Sequence, residues 1–300
     1  MKVAAQPKPI ALPLPGGRTD ATVRVHPISV AEIMVGPRFF DRPGGPLWKP
    51  RGMGMFTSRS QWLWLPIPAF LVEHPGAGPF LIDTGMHVSV SDHPRHTLGR
   101  VGALGYKLRM EPEWALPAQL HDRGVDPDDV STVVMTHLHA DHASGTVDFP
   151  GATFVVTARE WETAPKLGMT HGYHRNHIDQ PFDWRLVDYE APSVAACGTF
   201  SRTVDLFGDG SVRLVSTPGH TYGHQSVLLR LTEGELLVAA DAAYSIRTIE
   251  ETLVPVFHED EELYRRSLAE IQEFVAQTPD AVVIPGHDPE TWPRLEPLYQ

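Results

Sequence analysis

Cysteine is almost absent: Cys197 alone occurs in 300 residues. One thiol excludes an internal disulfide and any zinc site built from several thiolates. It sits beside Val194, Ala195 and Ala196, so a small apolar position in the core is expected for it. Positive charge is also scarce. Lys and Arg number 25 against 37 Asp and Glu, a formal net charge of -12. A surface of that sign repels phosphate backbones, so nucleic acid is not an expected partner. Long apolar runs are missing too, and no membrane-crossing segment is expected. Near Lys2 and Lys8, Pro7, Pro9, Pro13 and Pro15 interrupt any signal-like core, and the expected compartment is the cytoplasm. What remains, 42% hydrophobic and 21% charged residues, is enough for a sizeable core.

Along the chain, residues 1–20 read as an extended, proline-rich arm and residues 21–300 as a single domain. Residues 22–35 are rich in β-branched and apolar side chains and suit strands. Residues 36–60 form a long irregular connection, the kind usually kept for function. The runs 62–72 and 79–82 flank His74-Pro75-Gly76 and read as a hairpin. A helix is expected over 112–123, then a buried strand over 131–136. Strands follow at 153–157, 212–216, 226–231, 235–239 and 281–284. Leu263, Tyr264, Leu268, Ile271, Phe274 and Val275 recur at helical spacing, so 260–277 is an amphipathic helix. Asp260, Glu261 and Glu262 suit its N-terminus. This alternation predicts packed sheets with helices outside.

The chemistry concentrates where apolar strands end. After the strand at 131 comes Thr136-His137-Leu138-His139-Ala140-Asp141-His142. In extended chain, alternate side chains share a face, so His137 and His139 point the same way. Asp141 and His142 follow at a turn and can face a neighbouring point. His220, Asp241 and His287 each follow a predicted strand. Imidazole and carboxylate without thiolate suit zinc, iron, manganese or cobalt.

The series H-x-H-x-D-H, P-G-H, a strand-ending Asp and a late G-H, preceded by Asp83-Thr84-Gly85, resembles the metallo-β-lactamase superfamily over roughly residues 62–290. The resemblance implies an α/β (α+β) fold, a four-layer αββα sandwich. It implies two divalent metal ions, with zinc expected and iron, cobalt or manganese as alternatives. One would be held by His137, His139 and His220, the other by Asp141, His142 and His287, with Asp241 bridging. Asp83 would orient a ligand histidine. Water shared by two such ions is acidified and becomes the attacking nucleophile, and Asp141 or Asp241 would carry its proton to the leaving group.

Within the superfamily, the pattern is most similar to the N-acyl-homoserine lactonases. Tyr244 stands three residues after Asp241, where that family's tyrosine reaches the substrate carbonyl. Pro218-Gly219-His220-Thr221-Tyr222-Gly223-His224-Gln225-Ser226 is similar to the lactonases' P-G-H-T-P-G-H-x-S, with His224 in support. Ala140 stands where lactonases often carry an aromatic residue and Tyr222 where they often carry proline; the first change implies a wider pocket than theirs. Met34, Phe39, Phe40, Met53, Met55, Phe56, Trp62 and Trp64 suit either an acyl pocket or ordinary packing. The expected partner is a small-molecule lactone or ester, and a homodimer is allowed for. The alternatives on the same dimetal site are an esterase or phosphotriesterase and a glyoxalase II-like thioesterase. The thioesterase normally has a longer basic C-terminal part than follows His287. His171, His174 and His177 are expected as exposed loop histidines, with a third metal or a lid as the alternative. His26, His74, His87, His93, His96, His121 and His258 are expected to be ordinary exposed histidines.

Overall fold

A computed structural model of the chain describes residues 5–95, 98 and 107–300; His96 and the first four residues of the N-terminal arm lie outside them. Two sheets face each other. The larger holds β1 (Lys8–Pro9), β2 (Arg24–Val35), β3 (Leu63–His74), β4 (Gly78–Ile82), β5 (Lys107–Arg109), β6 (Thr132–Val134), β7 (Thr153–Thr157) and β8 (Asp183–Val187). Their order is β1-β8-β7-β6-β4-β3-β2-β5. The smaller holds β9 (Ala195–Cys197), β10 (Phe200–Asp205), β11 (Val212–Ser216), β12 (Gln225–Arg230), β13 (Glu235–Ala240) and β14 (Val282–Pro285), ordered β14-β13-β12-β11-β10-β9.

The side-chain period of two explains the layers. Val227, Leu229, Leu236 and Val238 meet Phe70, Val72, Phe80 and Val155 between the sheets. Their neighbours Leu228, Leu237 and Ala239 turn outward onto Tyr264, Leu268, Ile271 and Phe274, which line one face of the helix Glu261–Gln277. Each such side chain, fully buried, contributes roughly 1.5–3 kcal/mol. On the other side, Leu71, Leu81, Val133 and Phe154 pack under Leu116, Leu120 and Ala164, from helices Leu116–Asp122 and Ala158–Leu167. The result is the expected αββα sandwich. No helix among the described residues is long and apolar enough to cross a membrane.

Most elements fall where periodicity placed them. The hairpin is antiparallel, pairing Phe70 with Ile82 and His74 with Gly78. Asp260 caps the long helix, its carboxylate accepting from Leu263 N at 3.0 Å. The strand expected over 131–136 is shorter, because the chain beyond Val134 leaves the ladder to present its histidines. The N-terminal segment lies along the body: β1 pairs in parallel with β8, and Ile10, Leu12 and Leu14 pack against the inter-sheet core.

Three expectations fail. Cys197 is half-buried on the edge strand β9, beside exposed Ala195 and Ala196, and is not in the core. His26, His87 and His258 are half-buried and His74 is buried, none of them exposed as expected. His74 Nδ1 accepts from Gly76 N and Ala77 N at 3.0 and 2.9 Å, while Nε2 faces Asp209 at 3.1 Å. His174 and His177 are buried too, with ring centroids 5.3 Å apart; only His171 of that trio is exposed, paired with Glu259 at 2.6 Å.

Strand direction positions the site. β11 and β13 both run antiparallel to β12, and β14 runs parallel to β13. Their C-terminal ends therefore share one rim with the end of β6, which Gln225 N ties across by bonding Thr136 O at 2.9 Å.

Candidate metal centre

His137, His139, Asp141, His142, His220, Asp241 and His287 converge at that rim. Their ligand atoms form three mutually close sets, each within 4.8 Å: His137/His139/His220, His137/His142/Asp241 and Asp141/His142/His287. His220 Nε2 lies 3.2 Å from His137 Nε2 and 3.0 Å from His139 Nδ1. The Asp241 carboxylate divides between sets. Its Oδ2 is 3.2 Å from His220 Nε2, whereas its Oδ1 is 3.4 Å from His142 Nε2 and 3.2 Å from His287 Nε2. Asp141 Oδ2 is 3.6 Å from His287 Nε2, and its side chain is the more open of the two carboxylates, 25% against 3%.

Glycine makes room for this crowd in both P-G-H segments. A Cβ on Gly286 would stand 2.4 Å from Asp241 Oδ1, and one on Gly219 (φ 136) would stand 2.2 Å from the Tyr264 backbone. Those contacts are too short for any side chain, so only glycine lets each loop approach.

The outer nitrogens fix the inner ones. His142 Nδ1 lies 2.8 Å from Asp83 Oδ2, His287 Nδ1 2.8 Å from Pro66 O, and His220 Nδ1 3.2 Å from Phe257 O. Each partner only accepts, so each Nδ1 carries the proton and each Nε2 presents a lone pair. His137 is set at one remove: Thr136 donates its hydroxyl to Asp83 Oδ2 at 2.7 Å and accepts from His137 Nδ1 at 3.1 Å. The Nε2 atoms of His142, His220 and His287 are thereby turned toward the carboxylate oxygens of Asp241. His142 Nε2 and Asp241 Oδ1 are buried without a well-formed hydrogen bond. Orphaned acceptors this concentrated are costly unless a cation sits among them, so the donor set fits divalent metal.

The titration behaviour has the same origin. Burial, reinforced by His142, His139 and His220, holds His137 well below the usual imidazole value. Burial likewise holds His139 and His220 down at about 3 despite the Asp241 charge. For His142 burial is more than offset by Asp241, Asp141 and Asp83, and its value is raised. Asp241 is depressed: burial opposes its charge, but His287, His142 and His220 outweigh it.

Tyr244 borders the cluster, its hydroxyl 3.3 Å from His220 Nδ1. Phe39 and Phe40 pack on its ring at centroid distances of 5.5 and 6.2 Å. The rest of the apolar connection goes elsewhere. Trp62 bonds Thr57 and lies under Arg59, Trp64 lies under Arg109, and Met55 and Phe56 are exposed. His224 is buried behind His137, with Nδ1 2.9 Å from Thr217 Oγ1. Thr136 and the Phe257 and Pro66 carbonyls were not foreseen as partners of the site histidines; backbone carbonyls carry no residue signature to read.

Residues 62–287 match the metallo-beta-lactamase superfamily, and the chain belongs to it. It is similar to the N-acyl homoserine lactonase AttM of Azorhizobium caulinodans, 36% identical over 236 residues that cover 77% of this chain and 85% of the relative. The AttM lactonase of Rhizobium radiobacter is 35% identical over the same shares. Among solved structures, an N-acyl homoserine lactone hydrolase with N-hexanoyl-L-homoserine at its catalytic metal centre superposes with a TM-score of 0.73. That match has 25% identity and covers 93% of this chain and all of the other.

Proposed function

We propose that the chain is a dinuclear metal-dependent lactonase that opens N-acyl homoserine lactones or related lactones. The observation that carries the reading is the Asp241 carboxylate, whose two oxygens face two separate imidazole sets. His137, His139 and His220 would hold one ion, Asp141, His142 and His287 the other, and Asp241 would bridge. Zinc is the ion proposed, on the imidazole and carboxylate donors. Bound divalent ions supply an acidified water and polarise an ester carbonyl.

The chain's own residues do the rest. Tyr244 is placed beside the cluster to donate its hydroxyl to the oxyanion that develops on the lactone carbonyl. Asp141 reaches solvent and is the carboxylate we assign to carry a proton to the leaving alkoxide. Asp241 is buried among histidines and would hold the ions rather than carry a proton. Phe39 and Phe40 put an apolar wall against Tyr244, suited to an acyl chain. The names of the AttM relatives support an acyl homoserine lactone as substrate. We treat residues 21–300 as one domain and 1–20 as its arm.

Acid release from acyl homoserine lactones, simple lactones, aryl esters and phosphotriesters, run beside metal analysis, tests this. Lactones should be hydrolysed fastest, with close to two equivalents of metal per chain. Full activity after exhaustive chelation would overturn the metal reading. Turnover of aryl esters or phosphotriesters without lactones would overturn the substrate.

A further inference from the structure

The helix Ala158–Leu167 begins with Thr157 as its cap, whose Oγ1 accepts from Glu160 N at 3.0 Å. Thr-x-x-Glu is the pattern of a capping box, in which the glutamate bonds back to the cap residue's own amide. Glu160 does something else. Its Oε1 accepts from Leu138 N at 3.0 Å, and its Oε2 accepts from Gly223 N at 3.2 Å. Leu138 lies between His137 and His139, and Gly223 lies three residues after His220. The hydroxyls of Thr221 and Tyr173 approach the same carboxylate, though without hydrogen-bond geometry.

The helix start is pressed against the second loop. A Cβ on Gly223 would stand 2.1 Å from Glu160 N and 2.4 Å from Thr157 Oγ1, and Thr157 Oγ1 also donates to Gly223 O at 2.7 Å. Glu160 is fully buried. One carboxylate therefore holds two loops that come from different sheets, and these are the loops that bring the three histidines together.

We propose that Glu160 is a positioning residue that ties the His137/His139 loop to the His220 loop and so sets the spacing of the three-histidine set. The inference rests on the metal reading above. Glutamine is nearly isosteric but replaces one acceptor oxygen with a donor. It cannot accept from both amides, because its nitrogen would oppose an N–H. The Asp141/His142/His287 set has no bond to this carboxylate, so the two sets should respond differently.

The test uses the full chain, stripped of metal and titrated with zinc against a competing chelator. Wild type should bind two equivalents. Glu160→Gln should bind one equivalent within about threefold of wild type and the other about 10–100-fold more weakly, the usual effect of losing a residue that orients ligands. Cobalt loading should show the same split in its visible spectrum. Thermal melting of both metal-free chains runs in parallel, since a purely structural role would lower the melting temperature and weaken both equivalents alike. Two equivalents bound as in wild type, or equal weakening of both, overturns the assignment. Should Glu160→Gln not fold, Glu160→Asp carries the same comparison on a shorter arm. A wild-type chain that takes up no zinc overturns the metal reading, and this assignment with it.

Discussion

Asp83 Oδ2 lies 2.8 Å from His142 Nδ1, and that single contact decides which nitrogen of His142 is free to bind. Asp83 adopts φ 57 in the left-handed region, which aspartate tolerates better than most residues. The same carboxylate accepts from the Thr136 amide and hydroxyl, both at 2.7 Å. Asp83→Asn would turn a donor toward His142 Nδ1, favouring the tautomer with its proton on Nε2. We expect metal content to fall from two equivalents toward one and affinity to drop about 10–100-fold. Elemental analysis and imidazole nitrogen NMR would check this; unchanged occupancy with an unchanged tautomer would remove Asp83 from the site.

Gly286→Ala tests the steric side of the same centre. The new Cβ would stand 2.4 Å from Asp241 Oδ1 and 3.0 Å from Ala240 C. Asp241 must then move, and a shift of about 1 Å at a reacting centre typically costs about 10²-fold in rate. The expected outcome is a loss of that order with impaired metal binding and retained secondary structure, read by circular dichroism and metal analysis. Activity within twofold of wild type would show that the loop yields without disturbing Asp241.

Acid stability should depend on Asp209, far from the rim. Burial alone would raise its carboxyl, but hydrogen bonds from Ser211 and the Arg18 amide, with His74 beside it, hold it down at about 2. Its folded value lies below the unfolded one, so its contribution is present above about pH 4 and lost as pH falls through about 2. Allowing for solvent screening, the contribution is about 1–2 kcal/mol. Asp209→Asn should therefore be less stable than wild type at pH 6, with the gap closing between about pH 4 and pH 2. Denaturant unfolding at a series of pH values measures the gap; one that stays constant would refute the linkage.

The sandwich was legible because both faces of its strands are buried in alternation, and the long helix because its apolar stripe is uninterrupted. The seven clustered side chains were legible because they follow strand ends in short, dense motifs. What sequence hid depends on contacts between distant segments. His174 and His177 look like loop histidines beside His171, yet they are buried while His171 stays exposed. Cys197 looks apolar by its neighbours, yet β9 is an edge strand. Glu160 carried a local signal, the Thr-x-x-Glu spacing, but nothing local says that its carboxylate leaves its own helix for two other loops.

Tyr244 tests the proposed oxyanion donor of the lactonase reading. Its hydroxyl is 3.3 Å from His220 Nδ1, but that nitrogen also has the Phe257 carbonyl at 3.2 Å as an acceptor. Removing the phenolic oxygen therefore leaves His220 oriented, and the metals should stay bound. Loss of one oxyanion donor typically costs about 10²–10³-fold in turnover. A metal ion beside the same oxygen would share the charge, so Tyr244→Phe should lower kcat by about 10-fold or more. KM should change less, because the donor acts on charge that develops only in the transition state. Steady-state kinetics on acyl homoserine lactones and on simple γ- and δ-lactones, with metal content measured on the same samples, separates the outcomes. Reduced kcat with two metals retained supports the donor role. An unchanged rate on every lactone takes Tyr244 out of the mechanism, and lost metal would make it a support for His220 instead.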